Sequence, residues 1–341
     1  MKGHKKQKKK KEHYVPQSYL SRFTVDGERL FVFDKFKQEA RSANKKDVAH
    51  ENYFYDVPPD LVPDEIKSEH FHEQIVEDVL AIIDGKLSKA IAEIITTPSN
   101  KRIRHELVAE MSWLLAFQFL RTKETRTHYL ELRKKIYEQI AYETGRVKFP
   151  ELGDPAEYIK VELKKDHEAL EHAKLIFDME MLEKIGRIFF EYIWVIGINK
   201  TAISLYTSDN PIVKHHHLKH PFYGGWSSPG VEVTFPLTPK HVLILWESET
   251  VQENKQYDCG HIMLDEENVT FYNSLQVRHS IRNVFCSEDK FEFAKQMCID
   301  NPDLTKPRER TVEVNIYEPV ENPDPNRKKK LLHFRTYPDQ R

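Results

Sequence analysis

Val231-Glu232-Val233-Thr234-Phe235 alternates with period two, and His241-Val242-Leu243-Ile244-Leu245-Trp246 follows it as an almost unbroken apolar run. Alternation puts successive side chains on opposite faces of a strand, and a short continuous apolar run suits a strand covered on both faces. Thr201 to Thr207 alternates in the same way. A mostly antiparallel sheet is therefore expected over residues 199–318. Phe291 to Met297 could add a short helix, and residues 319–341, with the proline and basic run Asn322 to Lys330, read as an exposed segment.

Upstream of that sheet the period changes. Over residues 64–198 apolar residues recur at helical spacing, with Ile75, Val79, Ile82 and Ile83 on one face and charged residues opposite. Ser99 or Asn100 can cap a second helix carrying Leu107, Met111, Leu114, Leu115, Gln118 and Phe119, which could run past Arg133. Proline and glycine at 150–155 break the pattern, and Ala156 to Trp194 supplies one or two further helices. Residues 13–63 read as strands and loops, with Arg29 to Asp34 a strand leaving the Asp26-Gly27 turn and prolines 58, 59 and 63 forming a linker. The fold class is α+β, as two tightly joined parts.

Composition narrows the setting. The chain is 39% hydrophobic and 31% charged, which suits a folded protein. Three scattered cysteines make no disulfide framework, which fits core thiols in a reducing cytoplasm. No apolar stretch approaches the roughly 20 residues of a membrane span. The basic N-terminus is followed by Glu12 and His13 and not by the apolar run of a secretory signal. Residues 1–11 hold seven lysines and no acid, so the net charge of −2 leaves −9 on the remainder. Residues 1–12 read as a disordered tail, in which Lys5, Lys6, Lys8, Lys9, Lys10 and Lys11 are either a solvated run or a contact for phosphate backbones.

The order His13-x-x-Pro16-x-x-Tyr19-Leu20-x-x-Phe23, followed far downstream by Thr207-Ser208-Asp209-Asn210-Pro211, resembles a bacterial family known as domain of unknown function 4238. Phe54-Tyr55, Gln118-Phe119-Leu120-Arg121-Thr122 and Phe235-Pro236-Leu237-Thr238-Pro239 extend the resemblance along most of the chain. It supports the boundaries above and implies no particular activity.

Several residues could carry chemistry. Pro16 fixes the chain beside His13, which can then act as a general base or a ligand, or simply hydrogen-bond in a partly buried place. Asp209 and Asn210 at a strand exit are either site residues or turn formers bonding their own backbone. Glu73 and Glu77, four apart on a helix with His70 and His72 nearby, could hold a divalent ion or lie solvated. Arg121 and His128 have the spacing of a family of helical ribonucleases, which they resemble in lying on a long helix; there the pair acts on a phosphate across a dimer. Otherwise Arg121 anchors a carboxylate such as Glu73 or Asp209, or lies solvated beside Lys123 and Arg126. His215-His216-His217 with His220 reads as a loop. No phosphate-binding glycine loop, H-E-x-x-H or G-x-S-x-G phrase is present.

Two functions follow from these residues. One is a metal-dependent nuclease or phosphodiesterase: Glu73 and Glu77 hold Mg²⁺ or Mn²⁺, His13 activates water, Arg121 stabilises charge, Asp209 and Asn210 complete the site, and the lysines collect nucleic acid. The other is a non-enzymatic binding or interaction protein, such as a defence or mobile-element accessory, in which the same residues fasten the N-terminal segment to the helices.

Overall fold

A computed structural model describes residues 8–62, 64, 67, 71–218, 225–250, 252–308, 312–313 and 335–336. Strands β1 (Lys11–His13), β2 (Arg29–Asp34), β3 (Glu39–Asn44) and β4 (His50–Asn52) come first, with the short helix α1 (Gln17–Leu20) between β1 and β2. Helices α2 (Ile75–Thr96), α3 (His105–Leu120), α4 (Lys123–Lys148), α5 (Lys165–Ile176) and α6 (Met179–Phe190) form the middle. Strands β5 (Ile193–Asn199), β6 (Thr207–Ser208), β7 (Val213–His216), β8 (Val231–Thr238), β9 (His241–Trp246) and β10 (Gly260–Leu264) follow. Helix α7 (Glu266–His279), strand β11 (Asn283–Cys286), helix α8 (Glu292–Asp300) and strands β12 (Val312–Glu313) and β13 (Arg335–Thr336) complete the order. The protein is α+β.

The large sheet runs β10-β5-β9-β8-β7, antiparallel except where β10 joins β5. Its centre is the apolar run read above, with Val242, Leu243, Ile244 and Leu245 all buried. Gly197 on β5 is required by close packing, since a Cβ there would lie 2.8 Å from Val242 Cγ1. A second sheet runs β3-β2-β11-β6, so β2 pairs with a strand some 250 residues away and ties the first strands to the last third of the chain. One apolar cluster continues this join: Val15, Leu20 and Phe23 pack with Leu80, Leu115, Phe235 and Phe285. Burying each such side chain contributes about 1.5–3 kcal/mol. All three cysteines are free and buried, and among the described residues no helix is long and apolar enough to cross a membrane.

Several expected boundaries move. The apolar run ending at Ile198 is not helical throughout: α6 stops at Phe190 and Ile193-Trp194-Val195-Ile196 enters β5, where aromatic and β-branched residues favour a sheet. The second helix breaks at Thr122, whose side chain accepts from Thr125 N and starts α4. Thr201 to Tyr206 is irregular and only Thr207–Ser208 forms a strand. α2 begins at Ile75, so Glu73 precedes it instead of sharing its face with Glu77. Lys11–His13 forms β1 paired with β4, so the expected disordered tail does not extend to residue 12. Lys5, Lys6, His70, His220 and most of residues 319–341 lie outside the described residues.

Candidate functional site

The arm from Lys8 to Leu20 is the hub of the molecule. Pro16 sets its turn and Tyr19 reaches furthest: its hydroxyl donates to Pro236 O at 2.7 Å and shares a 2.6 Å hydrogen bond with Thr207 Oγ1. One ring thus joins the arm to the Thr207–Pro211 segment and to β8. Gln118 Nε2 donates to Tyr14 O at 3.2 Å, and Tyr55 O–H to Arg121 O at 2.8 Å.

Arg121 caps α3 and is 2% exposed. Its guanidinium donates to His13 O at 2.6 Å, pairs with Asp84 of α2 and lies beside the Tyr55 ring. Burial works against its charge, but Asp84, Tyr55 and Glu77 hold it protonated. The carboxylate that it anchors is thus Asp84, not Glu73 or Asp209. The ribonuclease geometry is also overturned, because Arg121 is buried and the break at Thr122 puts His128 on a different helix.

His13 is buried, with Nε2 3.3 Å from Lys46 O and Nδ1 3.3 Å from Gln17 Nε2. Burial pushes its pKa down to about 4, helped by His50 at a ring distance of 5.2 Å. Before it, Glu12 has no exposed surface and accepts from Tyr55 N. Burial and the neighbouring Asp56 push its carboxyl up to about 8.

The lysines and the paired glutamates meet each other. Lys8 Nζ lies 2.8 Å from Asp56 and 2.9 Å from Glu73, Lys9 Nζ 3.4 Å from Glu77, and Lys11 pairs with Asp47. Lys10 O accepts from Tyr53 N at 2.9 Å. Gln74 binds the Lys9 main chain on both sides, through Oε1 to Lys9 N at 2.9 Å and Nε2 to Lys9 O at 2.7 Å. Among the described residues no three His, Cys, Asp or Glu side chains are placed to hold one metal ion.

Asp209 and Asn210 build a separate cluster. Asp209 is fully buried and accepts from the N–H groups of Ile281, Arg282 and Asn283 at 2.7, 3.0 and 2.7 Å. Burial pushes its carboxyl pKa up, and those three bonds pull it back. Asn210 Nδ2 donates to His279 O at 3.1 Å, while Ser208 Oγ lies 2.7 Å from Gln276 Oε1 and Gln276 Nε2 donates to Pro211 O at 3.0 Å. This segment clasps the end of α7 to β11. No hydrogen bond or ion pair among the described residues joins Asp209 to His13, Arg121 or Glu77. The histidine run is not a loop: His215 and His216 end β7, and His217 Nε2 lies 2.7 Å from buried Glu232.

A cleft of about 760 Å³ opens beside the arm, between residues 51–58, the first turns of α4 and the start of α5. Asp56, Glu73, Lys8, Tyr53, Arg126 and Glu168 are in its wall. Arg126 is buried there, donates to Phe54 O and lies 4.3 Å from the Phe54 ring centroid. Sequence reading missed Glu12, Asp56 and Arg126. Glu12 was hidden by the lysines before it, Arg126 looked like one more helix charge, and the adjacent Phe54-Tyr55 was the available signal.

The family model described as "Protein of unknown function (DUF4238)" matches residues 11–290. No curated protein and no solved structure matches the chain. The matched span takes in the arm from Lys11 onward, the Arg121 cluster, the cleft wall other than Lys8 and the Asp209 clasp, and the chain belongs to the DUF4238 family.

Proposed function

We propose that this protein is a non-enzymatic binding protein, in which the His13–Arg121 and Asp209–Asn210 clusters are clasps of the fold and the cleft beside the arm is the recognition surface. The observation that carries this reading is the use made of Arg121: its guanidinium is spent on His13 O, Asp84 and the Tyr55 ring in a place closed to solvent. A residue that stabilises a transition state has to reach substrate. His13 and Asp209 support the same conclusion, since one is buried with its ring between Lys46 O and Gln17 and the other gives its oxygens to three backbone donors. The cleft has the size of a ligand site and carries both signs of charge.

The test is incubation of the full chain with labelled DNA and RNA, with and without Mg²⁺ or Mn²⁺, beside His13→Ala and Arg121→Met. The expected result is no cleavage by any form, with both variants losing thermal stability. Metal-dependent cleavage by the parent protein that a folded His13→Ala variant lacks would return His13 to a chemical role and end the binding reading.

A further inference from the structure

Lys8 is the one arm lysine that enters the wall of the cleft. Its ammonium sits 2.8 Å from Asp56 Oδ2, 2.9 Å from Glu73 Oε1 and 4.8 Å from the centroid of the Tyr53 ring. Two carboxylates and an aromatic face are the chemistry that recognises a primary ammonium, by charge-assisted hydrogen bonds and by attraction to the ring. Other contacts hold the pocket. Gln74 Nε2 donates to Asp56 Oδ1 at 3.0 Å, and Val57 N donates to Glu73 O at 2.9 Å. The Lys8 side chain is 46% exposed while that of Asp56 is 7% exposed, so the cation is the solvent-facing member of the pair.

We propose that the Asp56–Glu73–Tyr53 pocket is a recognition site for lysine side chains of a lysine-rich polypeptide, and that Lys8 is an internal competitor which such a partner displaces. The proposal rests on the reading of the cleft as a recognition surface, and it adds the class of partner. Charge favours a cationic occupant. Seven carboxylates and five cationic side chains line the cleft, and beyond residue 11 the whole chain carries −9. Glu131 and Glu168, on the helices across the cleft, add to the acidic side of its wall. A phosphodiester strand would meet a net negative wall.

The experiment uses the full chain and three fluorescent probes: a peptide of ten lysines, a peptide of ten glutamates and a single-stranded oligonucleotide, read by anisotropy at about 0.1 M salt, where exposed charges more than about 10 Å apart are screened. The lysine peptide is expected to bind. Lys8→Ala should tighten it severalfold by removing the competitor, Glu73→Gln should weaken it about tenfold, and Glu73→Asp should recover part of the loss. Glu183→Gln, on the exposed face of α6, is the control for general negative charge and should change nothing. Melting curves of each variant separate a lost pocket from a lost fold. The proposal is overturned if Lys8→Ala leaves binding unchanged or weaker, if Glu73→Gln behaves like Glu183→Gln, or if the oligonucleotide binds in preference to the lysine peptide. Such a failure with nucleic acid still uncleaved removes the lysine partner only; cleavage removes the binding-protein reading itself.

Discussion

Arg121 and Asp209 are opposite solutions to one problem, that of fixing a distant chain segment beside the end of a helix. Arg121, at the end of α3, reaches out to the arm and to α2, so a long side chain with several donors ties three segments together. Asp209 works the other way: a short side chain receives three successive N–H groups from the turn after α7. The first cluster is balanced by a formal opposite charge, Asp84, whose side chain keeps 22% exposure. The second is balanced chiefly by neutral backbone dipoles and is sealed. A buried charge is costly unless it is paired and hydrogen-bonded, and the two clusters meet that condition with different partners. They should therefore break differently.

The largest effect is expected at Asp209. Asp209→Ala leaves three N–H groups without an acceptor, each worth about 1–3 kcal/mol when buried and unmatched, so a loss of about 5 kcal/mol is expected in denaturant unfolding. Asp209→Asn keeps one acceptor oxygen and should lose about half as much. Equal losses for the two variants would mean that charge, and not the number of acceptors, holds the turn. Arg121→Met should cost about 3 kcal/mol, because Asp84 and His13 O are left behind in a poorly hydrated place. Adding Asp84→Leu should recover part of this. If the double variant is no more stable than Arg121→Met, then the bond to His13 O carries the cluster and the ion pair does not.

The arm cluster should also respond to pH, through two groups of opposite sign. Glu12 titrates near 4.5 in an unfolded chain and near 8 when folded. A raised folded pKa means that the native state holds the proton more tightly. Its contribution is thus complete below pH 4.5 and is lost as pH rises through 8. His13 has the opposite sign: its folded pKa of about 4 lies below the ordinary 6.5, so its contribution is complete above pH 6.5 and is lost as pH falls through 4. Denaturation midpoints should fall from pH 6.5 to pH 8, and Glu12→Gln should flatten that fall while leaving the acid limb in place. A pH profile unchanged in Glu12→Gln would show that its carboxyl is not held protonated by the fold.

Both clusters were half legible in the sequence. His13-x-x-Pro16 and Ser208-Asp209-Asn210-Pro211 are local patterns whose turn chemistry acts within a few residues, and they were readable as turns. Their partners come from far along the chain: Asp84 lies 37 residues from Arg121, and Asn283 lies 74 from Asp209. No spacing rule joins such pairs. The same limit hid the role of Glu12, which is buried only because Tyr55, Gln74 and Asp56 close over it. Helix α7 is a different case. Asp265 and Asn268 form a reciprocal capping box that stands in the sequence, but the apolar positions after it are few, so period alone gave no signal. Strands β8 and β9 of the large sheet were readable because their apolar runs are short, dense and rich in β-branched residues, whereas the equally apolar β5 follows directly on α6 and was absorbed into the helical pattern.

The smallest effect is expected where the arm first touches α2. Lys9 meets Glu77 at 3.4 Å, but its side chain is 46% exposed, and such pairs contribute about 0–1 kcal/mol. Gln74 grips the Lys9 main chain by two hydrogen bonds that no side-chain change at position 9 removes. Lys9→Ala should therefore cost about 0.5 kcal/mol and less in high salt, while Gln74→Ala should cost about 2 kcal/mol at any salt concentration. The reverse order would mean that the start of the arm is held by charge, and raising the salt should then loosen it. In the expected order, salt weakens only the lysine pairs, and the segment that Arg121 grips at His13 stays in place while Lys8 is free to exchange.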